Sequence, residues 1–242
     1  MKCHRLGFSL TEVLIGMFIS SILVLMVINQ FLSVKHHVQY ISHAMEQDIE
    51  LQLVVDLMRH SIRHAGFTPC LNLEHLVTAD RTQQNRSLSA LNIEQGTSRI
   101  RIQRMNESFE MVEVLLSDQT LLTGKAFKTN QLVLIADCYH AEVQKIHRVR
   151  TKGDKVMITL EKPFLFNFHE PIYIGHWINE EYLIQRNNHS ESLFYKQNHK
   201  EELTPLVKSM TISLVTQPVG KIVRIHLEML NEQNKQFSVR LR

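Results

Sequence analysis

Arg5-Leu-Gly-Phe-Ser-Leu-Thr-Glu-Val-Leu-Ile-Gly16 (RLGFSLTEVLIG) opens an apolar run that continues as MFISSILVLMVI and carries one carboxylate, Glu12, near its start. From Val13 to Ile28 only Gly16, Ser20 and Ser21 interrupt the apolar side chains. Counted from Phe8 to Val34, the segment is long enough to cross a hydrocarbon layer of about 30 Å. Lys2, Arg5 and the amino terminus precede it and Lys35 follows it, which favours a cytoplasmic N-terminus and an exported remainder. A secretory signal ends its apolar core in a small-residue cleavage site. Ser33-Val-Lys-His36 does not have that form, so the anchor is expected to stay attached. A charge near the centre of such a segment costs about 2.5–3.5 kcal/mol, and Glu12 therefore needs a reason to be there.

Past Val34 the apolar positions become periodic: Val34, Val38, Ile41, Met45, Ile49, Leu53, Val55, Met58 and Ile62. Steps of three and four trace one stripe along a helix, with Lys35, Gln39, Glu46, Asp48, Glu50 and Asp56 largely off it. No Pro or Gly breaks the chain from Met17 to Ala65, Gly66 is a natural stop, and Pro69 blocks continuation. The expectation is one helix from about Phe8 to Ala65, on the order of 85 Å long at 1.5 Å per residue. Its first half lies in lipid and its second half supports an exported head.

The remaining chain reads as strands. Arg99–Gln103 alternates, Met111–Leu116 and Leu132–Ala136 are apolar, and Ala141–Val149 alternates again. Further strands are expected at 155–160, 172–177, 182–185, 192–196, 210–215, 222–230 and 236–241. Turn signals stand at Lys152-Gly-Asp154, Asn187-Asn-His-Ser190 and Pro218-Val-Gly220. The polar stretch Leu71–Ser98 shows no period and reads as a long connection holding at most a short helix. Short connections between successive strands imply an antiparallel sheet packed on the helix, an α+β fold.

Composition and motifs exclude several function classes. At 242 residues, 44% hydrophobic and 21% charged, the chain can build a core and is not generally disordered. A net charge of +3, spread along the sequence, does not mark a nucleic-acid binder. The row Arg99, Arg101 and Arg104 reads as the wet face of a strand, and no DNA contact is expected from it. Hydrolase and nucleotide readings lack their motifs, since no Gly-x-Ser-x-Gly, Gly-x-Gly-x-x-Gly or Walker loop occurs. Of the 14 histidines, His60 and His64 have the spacing of a metal pair and His36, His37 and His43 crowd one region. No third ligand is fixed by the sequence, and Arg59 and Arg63 interleave with the pair, so a solvated or subunit-facing surface is the reading and no metal or cofactor is expected. His169-Glu170-Pro171 lacks the second histidine of a metalloprotease helix. Three cysteines are present, and only Cys70 and Cys138 lie beyond the anchor, where an oxidising compartment lets a pair bridge.

The N-terminal residues resemble those of type IV pilins and type II secretion pseudopilins. In that signature a short basic leader ends in Gly, and the mature chain starts with Phe and has Glu fifth. MKCHRLG supplies the leader, Phe8 the first mature residue and Glu12 the fifth. The resemblance implies cleavage between Gly7 and Phe8 by a prepilin peptidase, N-methylation of Phe8, and a Glu12 that meets the new amine of a neighbouring subunit. Opposite charges in a low-dielectric surround offset each other's desolvation, whereas either alone is penalised. Asp56-Leu-Met-Arg-His-Ser-Ile-Arg-His-Ala-Gly-Phe-Thr-Pro-Cys70 and Leu132-Val-Leu-Ile-Ala-Asp-Cys-Tyr-His-Ala141 are similar to the W-type minor pilins of type IV pili, as is the run from Tyr182 to Met210. That likeness implies a Cys70–Cys138 disulfide. Pro205-Leu206 departs from it, standing where an acidic-Gly turn is usual. The implied organisation is a leader at 1–7, a transmembrane half-helix at 8–34, an amphipathic half at 35–66 and a β-rich head at 67–242. The implied role is a minor pilin that helps initiate type IV pilus assembly in the bacterial inner membrane, its head in the periplasm and its final place possible at the pilus tip. Implied partners are other minor pilins, the major pilin, the prepilin peptidase and the inner-membrane assembly platform. A J-type pseudopilin of type II secretion is the second reading, and an exported single-pass enzyme or sensor the competing class.

Overall fold

A computed structural model describes residues 10–93, 98–124, 127–187, 190–217, 220–230 and 234–241. The chain is one long helix followed by a mainly antiparallel β head, the α+β fold of type IV pilins. It divides into two compact units, Met1–Gln52 and Leu53–Arg242, with the division inside the helix.

Helix α1 spans Leu10–Arg63. In the first unit its apolar side chains are exposed on the isolated chain, from Leu10, Val13 and Leu14 through Phe31, Val38 and Met45 to Ile49. In the second unit a different stripe is buried: Val54, Val55, Met58, Ile62 and Ala65, with Ser61 among them. The periodic reading placed Leu53 on this stripe, but Leu53 is exposed and Val54 takes the buried position. Tyr182 and Phe237 show what the stripe packs against. Ser61 Oγ lies 2.9 Å from the Tyr182 hydroxyl, and the Arg59 guanidinium sits 5.3 Å above the Phe237 ring.

Gly66 ends the helix for a stereochemical reason. Its φ is +72°, which L-residues rarely adopt, and a Cβ there would lie 2.3 Å from Asn72 Oδ1. The freed backbone is reused at once. Gly66 N–H donates to Gln103 O (2.8 Å), Met105 N–H donates to Phe67 O (2.9 Å), and Asn72 Nδ2 donates to Ala65 O (2.8 Å).

After a single 3-10 turn at Leu73–His75 come β1 (Val77–Asp80), β2 (Leu91–Ile93), β3 (Arg99–Met105), β4 (Glu110–Met111), β5 (Val114–Ser117), β6 (Thr120–Thr123) and β7 (Leu132–Ala136). Then follow β8 (His140–Lys152), β9 (Lys155–Leu160), β10 (Tyr173–Asn187), β11 (Ser190–Lys196) and β12 (Lys200–Thr204). Strands β13 (Val207–Gln217), β14 (Gly220–Met229) and β15 (Asn234–Arg240) complete the chain. Among the described residues β13-β14-β15 form one sheet, and the other twelve strands form a second, with β12-β11-β10-β7-β8-β9-β6-β5 as its main path.

Two long strands organise the larger sheet. The first residues of β10 pair with β4 and β7 (Tyr173↔Ala136), and its remainder pairs with β3 and β11 (Trp177↔Met105, Glu181↔Lys196). Strand β8 pairs with β7 and β1 in its first half and with β9 in its second, in a ladder whose register shifts between Ile146 and Arg148. Val133, Ile135, Ile146, Ile158 and Ile174 fill one core cluster; Leu73, Met105, Leu134, Ala141 and Val143 fill another, against which Trp177 packs.

Several expectations are corrected. The segment Leu71–Ser98 carries β1 and β2 besides its 3-10 turn, and β1 runs parallel to β8. Its order is imposed by the neighbouring strand, so no local alternation announces it. Strands 172–177 and 182–185 are one strand, β10, because Glu180 and Glu181 in the polar middle find arginine partners on β3. Met111–Leu116 is broken between β4 and β5, which join different neighbours. Short β6 and charged β12 were not expected. The residues Pro205-Leu206 form the β12–β13 turn, with Leu206 N–H donating to Thr204 Oγ1 (3.2 Å). The signals at 188–189 and 218–219 lie outside the described residues.

Candidate functional site

Of the residues singled out from the N-terminal signature, Gly7 and Phe8 lie outside the described residues. Glu12 stands on α1 among side chains that are all exposed on the isolated chain. Apolar residues surround it: Val13, Leu14 and Ile15 follow directly, and Phe18 and Ile19 come one turn later. The helix is long and apolar enough, near its N-terminus, to cross a membrane. Glu12 is the one charged side chain between residues 10 and 34.

Cys70 and Cys138 form a disulfide, with Cα atoms 5.2 Å apart and a sequence separation of 68. The bond joins the segment after the helix stop to the β7–β8 turn. Next to it, Val77 N–H donates to Tyr139 O (2.8 Å), the first link of the β1–β8 pairing. The turn is built around Asp137, which is fully buried. Its Oδ1 accepts the backbone N–H groups of Tyr139 (2.7 Å) and His140 (2.5 Å), and its Oδ2 accepts that of His169 (2.8 Å). Burial alone would push this carboxyl up. The backbone donors of His169, His140 and Tyr139, helped by the His140 ring, outweigh burial and hold it below the ordinary carboxylate value. The anion at Asp137 thus fixes the loop that presents Cys138.

Glu142, four residues further on, behaves in the opposite way. It is fully buried, and burial pushes its carboxyl up despite hydrogen bonds from Gln144 Nε2 (2.6 Å) and Leu165 N–H (2.9 Å) and the nearby Arg81 charge. Tyr182 and Tyr195 are raised too, chiefly by burial, Tyr195 to about 12. These groups are held by core packing and by partners such as Ser61 for Tyr182 and Gln144 for Glu142, and they read as structural.

The arginine row on β3 is only partly a wet face. Arg99 and Arg101 are ion-paired to Glu181 at 3.2 and 3.6 Å. Arg104 is buried, with Nη2 3.0 Å from Glu180 Oε1. Arg99 and Arg101 share one face of β3, whereas the step of three to Arg104 turns it to the buried face with Ile100 and Ile102, a parity that reading the three as one row overlooks.

The family profile described as "Prokaryotic N-terminal methylation motif" matches residues 2–28. That match takes in Gly7, Phe8, Glu12 and most of the apolar run. No curated protein and no solved structure matches the chain. The motif together with the helix and β head supports a membrane-anchored, single-pass protein of the type IV pilin or pseudopilin kind, processed by a prepilin peptidase and assembled with pilus-type components.

Proposed function

We propose that this chain is a minor pilin of the W type, a non-enzymatic subunit that helps prime assembly of a type IV pilus. Before assembly it waits in the inner membrane with its head in the periplasm. Prepilin peptidase cuts between Gly7 and Phe8, and the freed, methylated amine of Phe8 becomes a cation at the lipid-facing end of the helix. Glu12 of one subunit then pairs with that cation on the next, so two charges that are each costly in lipid leave it together. The pairing sets the axial register of neighbouring helices, and the exposed apolar face of α1 supplies their packing surface. Other minor pilins, the major pilin and the assembly platform are the partners, chosen by the polar surface of the head.

The observation that carries this reading is the sequence Gly7-Phe8-Ser-Leu-Thr-Glu12 directly ahead of an apolar run, inside the matched methylation motif. The W-type assignment rests in addition on Ala65-Gly66-Phe67 ending the helix just before a cysteine that bonds to Cys138 behind Asp137. Deleting the gene and restoring it as wild type or as Glu12→Ala tests the proposal. Sheared surface pili should fall on deletion, return with wild type, and stay low with Glu12→Ala although the Cys70–Cys138 bond forms. Loss of type II secretion with normal piliation would indicate the J-type pseudopilin instead. Normal piliation and secretion without the gene would refute both.

A further inference from the structure

His60 and His64 stand one turn apart at the end of α1, and the loop between β3 and β4 brings Glu107 against them. Glu107 Oε1 is 3.1 Å from His64 Nε2 and 4.0 Å from His60 Nε2. One potential ligand atom from each residue lies within 4.8 Å of the other two. His64 Nδ1 is 2.9 Å from the His60 carbonyl oxygen, an acceptor, so this nitrogen carries the ring proton. The other ring nitrogen, Nε2, is the atom aimed at the carboxylate.

Of the two arginines that on sequence alone argue against a bound cation, Arg59 is engaged elsewhere and Arg63 borders a separate groove. Arg59 pairs with Asp56 at 3.0 Å and lies over Phe237. Arg63 lines a groove with Glu74, His75 and Lys221. Arg104 holds Glu180 through Nη2 at 3.0 Å, and its Nη1 makes a longer ion pair of 3.8 Å with Glu107 Oε1 that a bound metal would have to displace. The contrast with Asp137, His140 and His169 is informative. Those three also cluster, but both Asp137 oxygens already accept backbone N–H groups and are poor donors to a metal.

We propose that His60, His64 and Glu107 form a Zn²⁺ site. Two imidazoles and a carboxylate are donors that zinc accepts, and metal–ligand arms of about 2.0–2.1 Å place tetrahedral donors roughly 3.3 Å apart. The His64–Glu107 pair is already close to that spacing, and rotation of the half-exposed His60 ring has to bring its Nε2 in from 4.0 Å to close the other two edges. Three protein ligands leave a fourth position at the surface for water or for a donor from a neighbouring subunit. The site is not hydrolytic. The residue after the first histidine, where a metalloprotease helix carries its general-base Glu, is Ser61, and its hydroxyl is buried against Tyr182. The ion ties the end of α1 to the β3–β4 loop, independently of whether the chain serves a pilus.

The test uses the untagged full chain in detergent micelles, stripped with chelator and titrated at neutral pH with Co²⁺ and then Zn²⁺. The expected result is one equivalent of Co²⁺ with the visible absorption of a four-coordinate site, displaced by one equivalent of Zn²⁺. His60→Gln/His64→Gln should abolish it, and Glu107→Gln should weaken it by at least about tenfold, since outer-shell changes alone cost 10–100-fold. His140→Gln/His169→Gln and His36→Gln/His37→Gln should leave it unchanged, and far-UV circular dichroism should confirm folding of each variant. Absence of a Co²⁺ spectrum with wild type, or a site that survives His60→Gln/His64→Gln, would overturn the proposal, leaving the contact as a plain histidine–carboxylate ion pair.

Discussion

Replacing both Cys70 and Cys138 by serine should destabilise the head by about 4 kcal/mol. The bond closes a loop of 68 residues, and the chain-entropy model assigns about that much to a loop of such length. The cost acts mainly on the unfolded chain, which regains the freedom of the segment holding β1 to β7. Trp177 is the chain's single tryptophan and packs against the core cluster of Leu73, Leu76 and Met105, close to the bridged segment, so its fluorescence reports the affected region. With a urea slope of about 2 kcal/mol per molar, the unfolding midpoint should fall by about 2 M. The full chain in micelles, with and without the double substitution, gives the comparison. Amide exchange should also quicken in β1, whose parallel pairing with β8 begins beside the bond. A midpoint shift below about 0.5 M with β1 protection unchanged would refute the reasoning, because the irregular segment would then be held without the covalent tie.

Three further outcomes follow from buried polar groups. Tyr182→Phe strands the Ser61 hydroxyl in the core and should cost about 1–3 kcal/mol in urea unfolding; adding Ser61→Ala should recover part of that loss. Arg104→Ala leaves Glu180 buried without its cation and should cost about 3–5 kcal/mol by the same assay, far more than Arg101→Ala on the exposed part of the row. Asp137 has a folded-state pKa below its unfolded value, so its contribution is fully present above the unfolded carboxylate value of about 3.9 and is lost as pH falls through the lower folded value. Asp137→Asn should therefore reduce stability at pH 7 and flatten the loss of stability in acid. Glu142 has the opposite sign: its raised folded pKa favours the protonated form, and its contribution declines as pH rises through that value.

Legibility in the sequence followed how local the cause was. The long helix was readable because lipid and core both reward continuous apolar surface, and Gly66 at φ +72° marked its end. Alternation exposed β3, and short apolar runs exposed β7 and β9. Strand β10 was divided because Asn179, Glu180 and Glu181 look like a loop until β3 supplies their arginines. Strand β1 was invisible because its order comes from β8 and the neighbouring disulfide, not from its own period. The same limit hid Glu107. Nothing in Met105-Asn-Glu-Ser108 points to a helix end more than forty residues earlier, and only the folded chain brings it to His64. The N-terminal signature was legible because it is a contiguous motif, matched over residues 2–28 without reference to the head.

The most direct test is the intact mass and N-terminal sequence of this chain recovered from the membrane of cells with an active prepilin peptidase. The account predicts a chain that begins at Phe8, lacks MKCHRLG and carries one methyl group on its amine. A full-length chain beginning at Met1 in those cells, or one cut at a different bond, would contradict it.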